Sequence, residues 1–320
     1  MVHSTVQSEG IMKKISIVIP TFNEYENIED GYLRVKKILE GLTGYLYEIL
    51  FIDNYSSDGT RDKLRILAQK DSNVKVILNA QNFGWMRSSF YGMISVTGDC
   101  VILLAADMQE PPELIPEFIK GWEEGFSVVI GIKSKSKENP IKYAVREIYY
   151  KTLQKIADVD HIEQFMGFGL YDQSFLNVLR KLDDPMPYLR GMVAEFAGRR
   201  KEIEYTQEKR KKGKTHFSFM KMYDLAMLGI TSYSKVLLRI ATLMGFAIGC
   251  ISLLIAVVTF ILKAFHIIDY PIGIAAISVA VFTFGSLNLF FIGLAGEYIL
   301  NINTRVMNRP LVVEEERINF

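Results

Sequence analysis

The sequence predicts an α/β domain with a largely parallel sheet, followed by a membrane-spanning region. Three observations predict it. Short runs rich in Ile and Val alternate with segments of helical period through the first part of the chain, the pattern of repeated strand and helix units. Three of those runs end in polar, turn-prone residues: "PTFNE", "DNYSSDGT" and "DMQEPPE". Across residues 236–300 the only Asp, Glu, Lys or Arg side chains are Arg239, Lys263, Asp269 and Glu297, whereas the chain before them mixes charged and apolar positions as a globular domain does.

Strands are expected at 14–20, 47–53, 74–79, 100–106 and 127–132, and helices at 26–42, 60–69, 85–96 and 113–124. The first helix gathers Ile28, Val35, Ile38, Leu39 and Leu42 on one face. Asp58 is placed to cap the second helix, with Gly59 and Thr60 in the turn. Pro111 and Pro112 stop the fourth strand and start the fourth helix, because proline cannot continue a ladder and suits a first helical turn. Residues 133–140, "KSKSKENP", read as a basic loop. In the helix expected at 141–157, Tyr143, Tyr149 and Tyr150 lie among Lys142, Arg146 and Lys151. That mixture fits a solvated basic face and, equally, a helix beside lipid headgroups.

Two apolar runs, 240–262 and 272–292, each approach the roughly 20 residues that cross a hydrocarbon core of about 30 Å as helix. Lys209, Arg210, Lys211, Lys212, Lys214, Lys221 and Lys235 precede the first run, and Arg305 and Arg309 follow the second. The connection between them has no Lys or Arg, so both termini are expected on the cytoplasmic side. The N-terminal residues are polar and the run "ISIVIP" is too short for a signal-peptide core. The expected organisation is a tail at 1–13, an α/β domain at 14–214 and an interfacial amphipathic helix at 215–235. Two spans at 236–300 and a cytoplasmic tail at 301–320 complete it. Gly245 and Gly249 have the spacing that lets helices approach, within one chain or between two copies in a homo-oligomer, and the same spacing arises equally by coincidence on a lipid-facing surface.

Composition removes several function classes. With 37 basic and 36 acidic side chains, the net charge of +1 gives no reason to expect a nucleic-acid partner. Cys100 and Cys250 sit in a strand and a span, and the four histidines are scattered, so neither disulfides nor a zinc site is expected. No G-x-x-x-x-G-K-[ST] occurs, and the glycines Gly167 and Gly169 lack the third glycine and preceding strand of a dinucleotide fingerprint.

In an open α/β sheet ligands bind beyond the carboxyl ends of the strands, so the three polar loops should converge on one crevice. Asp107 and Gln109 offer two oxygens two residues apart, suited to Mg²⁺ or Mn²⁺ that shares its shell with water and substrate phosphate. A turn aspartate that merely caps the next helix is the plainer account. Asp53 can accept an N–H from a nucleobase, and Glu24 is placed to meet base or ribose. In "EKRKKGKTHF", Arg210, Lys212 and Lys214 beside Gly213 can close over a diphosphate, with Thr215 adding a hydroxyl. The same cluster serves as the positive flank of the first span.

These motifs, with "NFG", "SKVLLRIATLMGF", "GEYI" and the following "RP", resemble the membrane-bound family 2 glycosyltransferases that load a polyprenyl phosphate, over about residues 14–313. The likeness is greater to the two-span bactoprenol glucosyltransferase branch than to dolichol-phosphate mannose synthases without spans. It implies a GT-A fold, a nucleotide-diphosphate sugar donor, and inverting transfer of one sugar to undecaprenyl or dolichyl phosphate at the bilayer. It further implies that Pro20, Phe22, Glu24, Asp53 and Asn54 line base and ribose, and that Asp107 and Gln109 hold the cation. Arg210 and its basic neighbours would meet the diphosphate; Lys133 and Arg146 would meet the acceptor phosphate. Where many relatives carry Asp-x-Asp this chain has Ala105, Ala106 and Asp107. That departure keeps open a second reading, a catalytically silent nucleotide-sugar-binding scaffold. A processive polysaccharide synthase would need a Q-x-x-R-W motif, which is absent.

Overall fold

The computed structural model describes residues 12–135, 162–208 and 274–320, with scattered helical positions between 224 and 261. Its centre is one eight-stranded sheet in the order β7-β5-β6-β4-β1-β2-β3-β8. The strands are β1 (Lys13–Thr21), β2 (Tyr45–Asp53), β3 (Val74–Asn79), β4 (Cys100–Leu103), β5 (Val128–Lys135), β6 (Phe165–Asp172), β7 (Arg200–Thr206) and β8 (Glu314–Ile318). β1 pairs in parallel with β2 and β4, β2 with β3, and β5 with β7. Only β6 and β8 run against their neighbours. This is a GT-A-like α/β architecture with a mostly parallel sheet.

Among the described residues, the helices that flank the sheet are α1 (Ile28–Glu40), α2 (Thr60–Lys70), α3 (Trp85–Ser95), α4 (Ile115–Glu123), α5 (Gln173–Leu182) and α6 (Leu189–Phe196). Strand alternation sorts the core into two layers. Ile15, Ile17 and Ile19 of β1 pack with Phe51, Val76 and Ile102 under α1, α2 and α4. Val18, Leu50, Ile52 and Leu103 pack on the other face with Phe90, Met93 and Leu176 from α3 and α5. A Cβ on Gly92 would lie 2.8 Å from Val18 Cγ1, so α3 sits as close to the sheet as a glycine permits. Near the amino end of the sheet, buried Glu48 accepts from Ser16 Oγ at 2.6 Å and Thr97 N at 3.0 Å, and pairs with Lys14 and Lys75. That polar knot fastens the edge opposite the predicted crevice.

Four expectations need correction. β4 ends at Leu103, because the chain turns at Ala106 and Asp107 instead of extending through Ala106. Lys133 does not open a loop: β5 continues through Lys135, carried by its ladder with β7. Gly59, at φ 92°, takes the N-cap place of α2, and Asp58 acts one residue earlier by accepting from Thr60 N at 3.0 Å. The C-terminal segment is no simple tail, since β8 pairs antiparallel with β3 and completes the sheet.

The chain divides into two compact units: residues 1–150, 160–217 and 308–320 form the first, and 151–159 with 218–307 the second. In the second unit α7 runs Ile274–Val306, well past the expected end of the second span. Its stretch Phe284–Val306 is, among the described residues, the one helix long and apolar enough to cross a membrane. Of the first expected span only isolated positions are described, and these are helical. Asn301 Nδ2 donates to Thr231 Oγ1 at 2.7 Å, so polar side chains join the helical segments within this unit. Of the glycine pair at 245 and 249, the second lies outside the described residues, as does the helix expected at 141–157.

Candidate functional site

Six strands, β1 to β5 and β7, point their carboxyl ends to one edge of the sheet, and the loops that leave them there are stitched together. Thr21, the last residue of β1, stands opposite Asp53, the last of β2. Beyond them Asn23 takes a left-handed φ of 55°, donates its N–H to Ser56 Oγ at 2.8 Å and accepts from Ser57 N at 2.8 Å. Glu24 N donates to Thr60 Oγ1 at 3.1 Å, and Tyr25 N to Asp58 Oδ2 at 3.1 Å. The loops after β1 and β2 therefore form one body. Asn54 extends it to the third loop: its Nδ2 donates to Asn82 Oδ1 at 2.8 Å and its Oδ1 accepts from Phe83 N at 2.9 Å.

Asp53 is completely buried. Its Oδ2 accepts from Ser56 N at 2.9 Å, its Oδ1 from the Ser56 hydroxyl, and Arg61 Nε stands 3.7 Å from Oδ2. Burial raises its carboxyl above the usual range, while Ser56 and Arg61 work in the opposite direction. Contact between this carboxylate and a nucleobase therefore requires the Tyr55–Ser56 turn to move aside. Tyr55 already holds the uncommon φ of 70° with half its surface exposed, and its ring lies over the Arg61 guanidinium. Glu24 is partly engaged, its carboxylate accepting from Asn27 Nδ2 at 2.6 Å at the start of α1. Pro20, level with Ile52 in the ladder, and Phe22 flank the same loop.

The Asp107 turn is built from β4 outward. Met108, at φ 52°, reverses the chain, and the end of its side chain packs directly against Gly31 of α1. Asp107 Oδ1 accepts from Gln109 N at 3.2 Å, so both oxygen-bearing side chains spring from one tight turn. Glu110 turns inward, accepting from Ala105 N at 3.0 Å. Burial pushes its carboxyl up to about 8; the Ala105 N–H opposes this and the neighbouring Asp107 adds to it. Glu110 thus holds the turn from inside. Among the described residues no group of three His, Cys, Asp or Glu is arranged to hold a metal. One carboxylate and one amide oxygen fit a hard cation that takes most of its shell from phosphate and water.

Gln109 also holds Glu208, the last described residue before the basic cluster. Its Nε2 donates to Glu208 O at 3.2 Å and its own carbonyl accepts from Glu208 N at 2.9 Å. Arg34 of α1 binds Glu113 and, at 3.0 Å, Glu208, bracing both sides of this contact. Arg210, Lys212, Lys214 and Thr215 follow within seven residues of Glu208 and lie outside the described residues, as does Arg146. Lys133 is described and sits in β5, 8% exposed. Ile130 and Leu103 stand level, both opposite Gly169, so Lys133 reaches the same edge as the Asp107 turn.

The structure thus brings Pro20, Phe22, Glu24, Asp53, Asn54, Asp107, Gln109 and Lys133 to one edge. Sequence reasoning missed Ser56, Arg61, Asn79 and Glu208. Asn79, a buried polar residue ending β3, was the legible one: its Nδ2 reaches Ser88 Oγ at 3.1 Å and its Oδ1 has no hydrogen-bond partner. Arg61 and Glu208 carry no local signal, because their partners lie far away in sequence.

Residues 16–180 match the profile described as glycosyl transferase family 2. The "Uncharacterized glycosyltransferase YkcC" of Bacillus subtilis is 31% identical over 94% of this chain and 93% of its own length. The "SfII prophage-derived bactoprenol glucosyl transferase" of Shigella flexneri is 32% identical over 93% of this chain and 96% of its own. Among solved structures, mannosyl-3-phosphoglycerate synthase from Rubrobacter xylanophilus aligns with a TM-score of 0.49 at 16% identity, covering 73% of this chain and 75% of that one.

Proposed function

We propose, from the premise that this chain belongs to glycosyl transferase family 2 and is a transferase, that it moves one glucose from UDP-glucose to a polyprenyl phosphate at the cytoplasmic membrane face. The observation that carries this reading is the single edge at which the Asp53 and Asp107 loops meet, with Gln109 holding Glu208 where the basic run begins. The lipid acceptor and the sugar follow from the relatives named bactoprenol glucosyl transferase, which match nearly end to end. The apolar helix within Phe284–Val306 supports a place at the bilayer.

The chemistry suits this set of groups. The second pKa of a phosphate monoester is about 6, so the acceptor is already anionic and needs no general base. One of its oxygens attacks the anomeric carbon, the bond from that carbon to the diphosphate oxygen breaks, and UDP departs with inversion. The protein's task is to bring two phosphate groups together in line and to neutralise the charge growing on the departing one. Asp107 and Gln109 would hold Mg²⁺ or Mn²⁺, which supplies charge neutralisation to the diphosphate. Arg210, Lys212, Lys214 and Thr215 would bind the same group, and Lys133 and Arg146 would orient the acceptor phosphate. Pro20, Phe22, Glu24, Asp53 and Asn54 would receive the nucleoside. Ala105 leaves the usual first carboxylate of the motif unfilled, so donor contacts differ there from those of Asp-x-Asp relatives.

The test is a panel of nucleotide sugars offered to the full chain in lipid with a short polyprenyl phosphate, with and without Mg²⁺ or Mn²⁺. Metal-dependent polyprenyl-phosphate glucose from UDP-glucose is expected. Preferential transfer from GDP-mannose would reassign the donor, and binding without any product would overturn the reading.

A further inference from the structure

Glu315 stands on the strand that follows the membrane-apolar helix, yet it reaches a group beside Asp53. Arg61 Nη2 lies 2.9 Å from Glu315 Oε2, and Arg61 Nε lies 3.7 Å from Asp53 Oδ2. Neither nitrogen has an aligned hydrogen-bond partner, although both atoms are buried. The guanidinium is therefore shared between two carboxylates without a directed bond to either, under the ring of Tyr55.

A bulge makes this reach available. In the ladder Leu78 faces Glu316 and the next residue, Asn79, faces Glu314, so Glu315 is the unpaired extra residue of β8. Adjacent strand residues ordinarily point to opposite faces. Here Glu315 and Glu316 both meet α2: Glu315 takes Arg61 and Glu316 takes Arg65, one turn further along, at 2.8 Å. Glu314 instead turns to Arg317, which also reaches Tyr91 of α3 on the other face. Bulges beside active sites commonly re-aim a side chain in this way.

We propose that Glu315 is a positioning residue of the nucleotide site, acting through Arg61 on Asp53. By drawing Nη2 toward itself, Glu315 keeps Arg61 from closing onto Asp53, so that Oδ2 stays able to exchange its Ser56 contact for a nucleobase N–H. Arg61 still supplies the positive charge that an ionised buried carboxylate needs. This inference rests on the reading of Asp53 as a base-binding residue.

The experiment measures UDP affinity, and KM and kcat with UDP-glucose, on the full chain in lipid. Glu315→Gln is expected to raise the UDP Kd and the donor KM about fivefold, the upper size of effect that one partly exposed ion pair produces, with kcat and Tm unchanged. Glu316→Gln, which removes the neighbouring ion pair between β8 and α2, is expected to leave donor KM where it was. In an Arg61→Met background Glu315→Gln is expected to add nothing, the mark of action through that residue. Unchanged donor KM in Glu315→Gln, equal effects of the two glutamate variants, or additivity with Arg61→Met would overturn the proposal. Asp53→Asn separates the two levels. If it weakens UDP binding while Glu315→Gln does not, only this inference fails; if it too leaves binding unchanged, the base-site reading falls and takes this inference with it.

Discussion

Gln109 and Glu208, 99 residues apart in sequence, are held together by two hydrogen bonds, Glu208 N to Gln109 O at 2.9 Å and Gln109 Nε2 to Glu208 O at 3.2 Å. The contact holds Glu208, the residue before the basic run, against the turn that carries Asp107. Gln109→Leu removes the side-chain bond and the amide oxygen while keeping the backbone one. A net hydrogen bond is worth about 1 kcal/mol, so turnover is expected to fall roughly five- to tenfold from the lost bond alone, and further if the oxygen binds the cation. Steady-state kinetics across a Mg²⁺ titration check this, with a raised metal requirement as the signature of the lost ligand.

Arg210→Ala tests the basic run that follows Glu208 in sequence. If Arg210 meets the departing diphosphate, turnover of the donor should fall by about tenfold or more, as expected for one charge-assisted contact. Kinetics unchanged from those of the parent chain would return Arg210 to its role as a flank of the membrane segment.

How much of this was legible depended on the range of the interactions. Local pattern reached the first five strands and first four helices, with β3 correct at both ends and others displaced by a few residues, because apolar alternation and turn chemistry act over a few positions. The polar strand ends likewise led to Asp53, Asp107 and Gln109. β6, with Gly167 and Gly169 inside it, and β8, with three consecutive glutamates, do not look like strands. They are strands because β4 and β5, or the open edge of β3, supply ladder partners, which is tertiary context overriding local propensity. For the same reason Arg61 reads as an ordinary helix surface residue until Glu315, 254 positions later, is brought beside it.

Arg87 clasps the entry to β8. Its Nε donates to Leu311 O at 2.8 Å and its Nη2 donates to Pro310 O, joining α3 to the segment that leads into the last strand. Arg87→Ala leaves two carbonyls without a charged donor, and hydrogen bonds to charged groups are worth roughly 1.5–3 kcal/mol. Faster proteolytic release of residues 308–320 and a lower Tm of the catalytic unit are expected. A cleavage rate like that of the parent chain would show that the β3 ladder alone retains β8.

Glu48 should set the acid limit of stability. Burial acts to raise its carboxyl, but Lys14, Lys75, Ser16 and Thr97 N together bring it down to about 2 from an ordinary 4.5. A carboxyl depressed in the folded state stabilises fully above its unfolded pKa and loses that contribution as pH falls through the folded value. On the order of 3 kcal/mol should therefore be present above about pH 4.5 and disappear toward pH 2. Glu48→Gln should flatten denaturant-derived stability across that window and lower it at neutral pH; an unchanged acid slope would count against the buried pairing.

Asp107→Asn in the lipid-product assay bears on the central claim most directly. The substitution keeps the shape of the turn and an acceptor for Gln109 N, and removes only the charge. Transfer of glucose from UDP-glucose to polyprenyl phosphate is expected to fall by about a hundredfold or more, with Tm held, as for loss of a group that stabilises charge on the departing diphosphate. Full transfer by a folded Asp107→Asn chain would contradict the assignment of this turn as the cation-binding centre of the reaction.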